Sequence, residues 1–186
     1  MLHLFHFVLS GALIVLCISS CATVLKDTPD FDFPTEATLE SGHDKVGNYE
    51  DYTLKDTRVR FCSAATPSDL KSWDGFGTDG GYPHEILSGV SIKSRLGDYE
   101  LPASLVNDLG DPNIRPHSNH DYVRINQEAA VLRILMSNSD GAGSYRVVFI
   151  IDLPSGRAKR FISGYDEQEF FLSHDWTPMN RKEGEQ

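Results

Sequence analysis

Apolar and polar positions along the chain fall into three regimes. Residues 4 to 18, LFHFVLSGALIVLCI, form a nearly continuous apolar run interrupted only by His6, Ser10 and Gly11. From 22 to 56 no period of 2 or 3.6 is sustained, and acidic residues, Pro, Thr and Gly dominate. From Thr57 the pattern becomes that of strands. TRVRFC, residues 57 to 62, alternates polar and apolar side chains as a half-buried strand does. Ile86 to Ile92 and Tyr99 to Leu101 flank KSRLGD and predict a hairpin with Gly97-Asp98 at its turn. Residues 102 to 110, PASLVNDLG, predict one short helix ending at the glycine, and Tyr122 to Ile125 another short strand.

The clearest pattern lies in residues 129 to 163. AAVLRILM, YRVVFIIDL and RAKRFIS read as three strands, joined by turns at SNSDGAGS and PSG. The middle run, Tyr145 to Leu153, is apolar at nearly every position and is expected at the centre of a sheet covered on both faces. Its neighbours carry Arg133, Arg157, Lys159 and Arg160, which predicts partial exposure. No segment sustains a long amphipathic helix. The expectation is a single mainly β domain over 56 to 176, or α+β with few short helices, its antiparallel sheet sandwich-like or a meander. A polar tail is expected over 177 to 186.

The first apolar run is shorter than the roughly 20 residues of a bilayer-spanning helix and has the length of a signal-peptide core. Ile18-Ser19-Ser20-Cys21 follows it: an aliphatic residue, two small residues and a cysteine. This stretch resembles the lipobox of bacterial lipoproteins. The resemblance covers about twenty residues and implies a signal peptide over 1 to 20, cleavage before Cys21, and a diacylglycerol on the Cys21 thiol. Cys17, preceded by Val15-Leu16, lacks the small residues and is discarded with the signal. Two or three acyl chains hold a protein at a bilayer almost permanently, since each buried methylene contributes ~0.8 kcal/mol. Ala22, where an aspartate would favour the inner membrane, implies the periplasmic face of the outer membrane. The segment 21 to 55 then reads as an acidic flexible tether reaching roughly 30 Å. Its Phe31 and Phe33 are read as linker aromatics in preference to a docking motif.

The 186-residue chain has a formal net charge of -10, carried entirely after residue 25, which argues against a nucleic-acid partner. Three cysteines are too few for a disulfide scaffold or a four-cysteine zinc site. Cys62 is expected to be a buried, inert thiol. His117 and His120, with Asp121, have ligand chemistry but sit in a Pro-bounded loop without a third marked ligand, so no metal site and no cofactor is expected. In SWDGFGTDGG, residues 72 to 81, Asp74 and Asp79 lack EF-hand spacing. Trp73, Phe76 and Tyr82 offer aromatic faces to a sugar, although a Gly-rich loop folded onto the core accounts for them as well. SDGAGS, 139 to 144, precedes a strand where a phosphate loop requires a helix. Neither a G-x-S-x-G elbow nor an H-E-x-x-H motif occurs.

These observations converge on a lipid-anchored envelope protein without catalytic residues, whose β domain binds another protein or is structural. An envelope-glycan (peptidoglycan) module using Trp73, Phe76 and Tyr82 is the alternative, and a hydrolase with dispersed acidic residues a further one.

Overall fold

The computed structural model describes residues 37–43, 48–78, 80–115, 122–138, 143–164 and 169–182. These residues are almost entirely β. Sheet one comprises β1 (Thr38–His43), β2 (Asn48–Leu54), β3 (Thr57–Ala65), β4 (Glu85–Ser94), β5 (Gly97–Glu100) and β11 (Asn180–Arg181), in that order across the sheet. Sheet two has the order β10 (Phe171–Pro178), β9 (Arg157–Gly164), β8 (Tyr145–Asp152), β7 (Val131–Asn138) and β6 (Val123–Glu128). All strand pairings are antiparallel. One apolar core joins the sheets, with Tyr52, Val59, Phe61, Ile92 and Tyr99 from the first and Ile125, Ile134, Val147, Phe149, Ile151 and Ile162 from the second. The fold is a β-sandwich, formed because each sheet presents an apolar face that the other covers.

β8 is the middle strand of its sheet, as its composition predicts. Val147, Phe149 and Ile151 enter the core, while Val148 packs on the opposite face with Leu135, Phe161 and the partly buried Ile150 and Phe170. At the far side the chain passes from one sheet to the other within three residues. β10 ends at Pro178, Met179 is buried with its N–H donating to Gly156 O at 2.8 Å, and β11 pairs with β5.

Several expectations are corrected. The segment expected to be a tether to residue 55 contains β1 and β2, and its Tyr52 and Leu54 are core residues. The alternation of β2, NYEDYTL, is hidden because buried carboxylates occupy both its faces. Asp51 pairs with Arg58 and Arg60 on the outer face, and Glu50, on the other, lies 3.3 Å from Arg115. The polar tail drawn from 177 is strand through Arg181, and Lys182 continues the tie through its N–H to Asp98 O. The helix expected over 102 to 110 is only a 3-10 turn, Ala103–Leu105, because Leu109 and Gly110 bridge to Phe76 and Ile86 instead of continuing a helix. In the β4–β5 hairpin the two-residue turn is Arg95-Leu96, one pair earlier than expected, and Gly97 opens β5. Gly97 has φ +143, and a Cβ there would stand 3.0 Å from the Tyr99 ring, so any other residue is strained at this position.

Candidate functional site

The signal segment, Cys17, Cys21, Phe31, Phe33, Asp79, His117, His120 and Asp121 lie outside the described residues. Among the described residues no helix is long and apolar enough to cross a membrane, and no cluster of three His, Cys, Asp or Glu side chains has metal-binding geometry.

The loop aromatics do not form one platform. Phe76 bridges to Leu109 and packs against the core, its ring 6.1 Å from that of Tyr145. Trp73 folds over Gly75, and its indole Nε1–H is buried without a partner among the described residues. Tyr82 alone is well exposed, at 52%, its hydroxyl donating to Lys71 O at 2.8 Å. This loop is tied to the 101–115 segment by reciprocal backbone bonds, Phe76 N to Asp108 O and Gly110 N to Phe76 O. Gly77, at φ +106, allows that contact, since a Cβ would collide with the Gly110 backbone. Cys62, expected to be buried, is half-buried on the outer face of sheet one, opposite Tyr49 and Gly89.

Three polar constellations emerge that the sequence did not mark. The first surrounds Arg160, which was expected to be partly exposed and is 2% exposed. Alternation along β9 turns Ala158, Arg160 and Ile162 inward. The guanidinium meets both Asp108 carboxylate oxygens, the second at 2.8 Å, and donates to Leu105 O at 2.9 Å and to Ser173 Oγ at 2.8 Å. Four of its five N–H donors are thereby used. Ser173 Oγ in turn donates to Arg160 O at 3.2 Å, and His174 Nδ1 lies 3.4 Å from Ser173 Oγ. Burial holds the His174 imidazole below its ordinary pKa, aided by the Arg160 charge and opposed by Asp108. Tyr145 donates to Gly110 O, and its phenol is pushed upward by burial and then by Asp108 and Asp111. With the serine hydroxyl bonded on both sides to Arg160, this cluster is a clamp holding the 101–110 segment on sheet two, and its geometry is not that of an activated nucleophile.

The second constellation lies on the outer face of sheet one, where Asp51, Arg60 and Ser91 stand opposite one another across three strands. Arg60 donates to Asp51 through Nε at 2.8 Å and Nη2 at 2.7 Å, Arg58 donates to the same carboxylate, and the Arg60 guanidinium lies 4.1 Å from the Tyr49 ring centre. Burial pushes the Asp51 carboxyl upward, but the two arginines together hold it below its ordinary value. With Lys93 these groups line a shallow depression of about 240 Å³. Glu50 and Asp51, both deeply buried, are neighbours on one strand and face opposite ways, so they do not form a pair across a cleft.

The third is a cavity of about 350 Å³ at the end of the sandwich where four hairpin turns meet: Lys55-Asp56, Arg95-Leu96, Ala129-Ala130 and 153–156. Thr57 from sheet one and Gln127 from sheet two line it. Thr57 Oγ1 and Gln127 Oε1 are both buried without a hydrogen-bond partner among the described residues.

Searches of family models, curated proteins and solved structures each returned no match to the chain.

Proposed function

We propose that this protein is an exported, lipid-anchored envelope domain that acts by binding another protein and not by catalysis. The anchor rests on Ile18-Ser19-Ser20-Cys21, and the outer-membrane assignment on Ala22. The observation that carries the binding role is the edge strand β10. Phe171 and Leu172 are 46% and 49% exposed there, Leu172 opposite Phe161 of the outer apolar cluster and Phe171 opposite Ile162 on the inner row. Adjacent exposed apolar side chains on a sheet edge suit a partner that adds a strand and seats side chains beside it. The register shifts of β10 begin only after Leu172, so this first stretch keeps regular strand geometry. The best-formed polar cluster, around Arg160, is engaged in holding the fold, which fits a scaffold better than a reaction site.

The anchor is tested by metabolic palmitate labelling: Cys21→Ala abolishes label and releases the protein from membranes, while Cys17→Ala keeps both. The reverse result overturns the assignment. The binding face is tested by photo-crosslinking in intact cells from position 172, with position 93 as control. A discrete protein adduct at 172, absent at 93 and lost on Phe171→Glu, supports the reading; equal crosslinking at both positions removes it.

A further inference from the structure

Three cations meet on the outer face of sheet one. Arg58 and Arg60 of β3 and Lys93 of β4 line the shallow depression of about 240 Å³, together with Ser91 and Asp51. Arg58 and Lys93 stand directly opposite one another in register, as Arg60 and Ser91 do. Like charges opposite each other on adjacent strands are destabilising, so the pairing calls for an anion between them. Asp51 answers only in part. Burial opposes its charge, but the two arginines hold it ionised, and both its oxygens already accept, Oδ1 from Arg60 Nε and Oδ2 from Nη2 of each arginine. Lys93 is exposed and has no hydrogen bond or ion pair among the described residues. The depression thus sets three positive charges against one negative. Arg58 gives Asp51 one N–H and Arg60 gives it two, which leaves both guanidiniums with unused donors, and their side chains are 45% and 35% exposed.

We infer that this depression binds one phosphomonoester group as its dianion. Two guanidiniums, an ammonium and a hydroxyl form a set of donors that phosphate oxygens accept from, and the two uncompensated charges match the dianion. Asp51 is the positioning residue. Buried beneath both guanidiniums, it fixes them before the ligand arrives, and the Tyr49 ring, 4.1 Å from the Arg60 guanidinium, restrains one of them further. The volume lies below the range of pockets for drug-sized ligands, which suits a single group whose carrier stays outside. Glu40, opposite Asp51 on β1, and Asp98, opposite Lys93 on β5, flank the depression on the strands to either side. These carboxylates repel an extended polyanion and leave room for one compact group. A soluble phosphate ester and a lipid headgroup present the same chemistry. The site lies on the sheet that does not contain β10, and neither it nor the β10 edge depends on the other.

Calorimetric titration of the full-length chain in neutral detergent micelles tests the site with methyl phosphate, dimethyl phosphate and acetate as probes, at about pH 7.5, above the second phosphate pKa of about 6. Methyl phosphate is expected to bind saturably, with the two monoanions each at least about tenfold weaker. Lys93→Gln and Arg58→Gln are each expected to weaken methyl phosphate about fivefold with an unchanged circular dichroism spectrum, since Arg60 keeps Asp51 paired in both variants. Arg95→Gln, at the turn end, is expected to bind as wild type. Doping the micelles with phosphatidate separates the two sources: loss of the methyl phosphate signal assigns the site to a lipid headgroup, and a retained signal assigns it to a soluble ester. Absence of saturable methyl phosphate binding, a monoanion binding as tightly, Lys93→Gln and Arg58→Gln both binding as wild type, or an equal weakening by Arg95→Gln would each overturn the inference.

Discussion

The two ends of this sandwich solve the same problem oppositely. At one end the strands are joined by tight turns, three of them of two residues, a cavity of about 350 Å³ opens among them, and Thr57 Oγ1 and Gln127 Oε1 are buried nearby without a partner among the described residues. Toward the other, two long connections fold over one another with Leu105, Leu109 and Ile114 buried, and Arg160 spends three N–H donors on the 101–110 segment and a fourth on Ser173 of β10. Short turns stay at the rim and cannot reach in to pair buried groups, whereas long segments bring backbone carbonyls and carboxylates with them. Polar pairing is thus concentrated where the loops are, and open space where they are not.

The comparison breaks most readily at Arg160. Arg160→Ala leaves Asp108 and Leu105 O without their donor and opens a hole under the loop, and is expected to cost about 3 kcal/mol, the low end for a buried pair because the Asp108 carboxylate still reaches water. A urea midpoint unchanged from wild type would show that the clamp is not what secures the loop end. At the turn end the sign reverses. Thr57→Val removes an unpaired buried hydroxyl at constant shape and is expected to stabilise the protein by about 1 kcal/mol, seen as a higher urea midpoint; a clear loss would mean that the hydroxyl is already satisfied. The smallest effect concerns His174. Its folded pKa is held below the ordinary 6.5, so the unfolded chain takes up the proton first, and this contribution is complete above about pH 6.5 and is lost as pH falls toward the lower folded value. Unfolding midpoints measured from pH 7 to pH 5 should fall less steeply for His174→Gln than for wild type, and parallel slopes would remove His174 from the loop-end electrostatics.

Much of the strand framework was legible from side-chain alternation. TRVRFC, the triplet of strands from 131 to 164 and the central place of Tyr145–Asp152 follow from period-2 patterning and an unbroken apolar run. β2 was not legible, because a sequence window reads Glu50 and Asp51 as solvent-seeking, whereas in the fold Arg58, Arg60 and Arg115 pair with them. The end of the domain was missed for a related reason. Asn180, Arg181 and Lys182 carry no apolar signal, and backbone pairing with β5 and the burial of Met179 hold them in place. Arg160 carried a signal that composition masked: it lies two residues from Ala158 and two from Ile162, on the inward row, yet its charge argued for exposure. For the turn-end cavity there was only a trace, the inward register of Gln127 after Val123 and Ile125.

By itself the sequence determined the class of fold, through the period of its apolar positions, and the lipobox resemblance at Cys21, which is a local motif read without folding. Tertiary structure decided which charges are inside. Whether Asp51, Glu50 and Arg160 are surface or interior depends on partners seven to sixty-five residues away, Arg58 for the first, Arg115 for the second and Asp108 for the third. It also decided where space remains, because a cavity belongs to the turns that surround it. Thr57 and Gln127 line one cavity only when the two sheets bring them together.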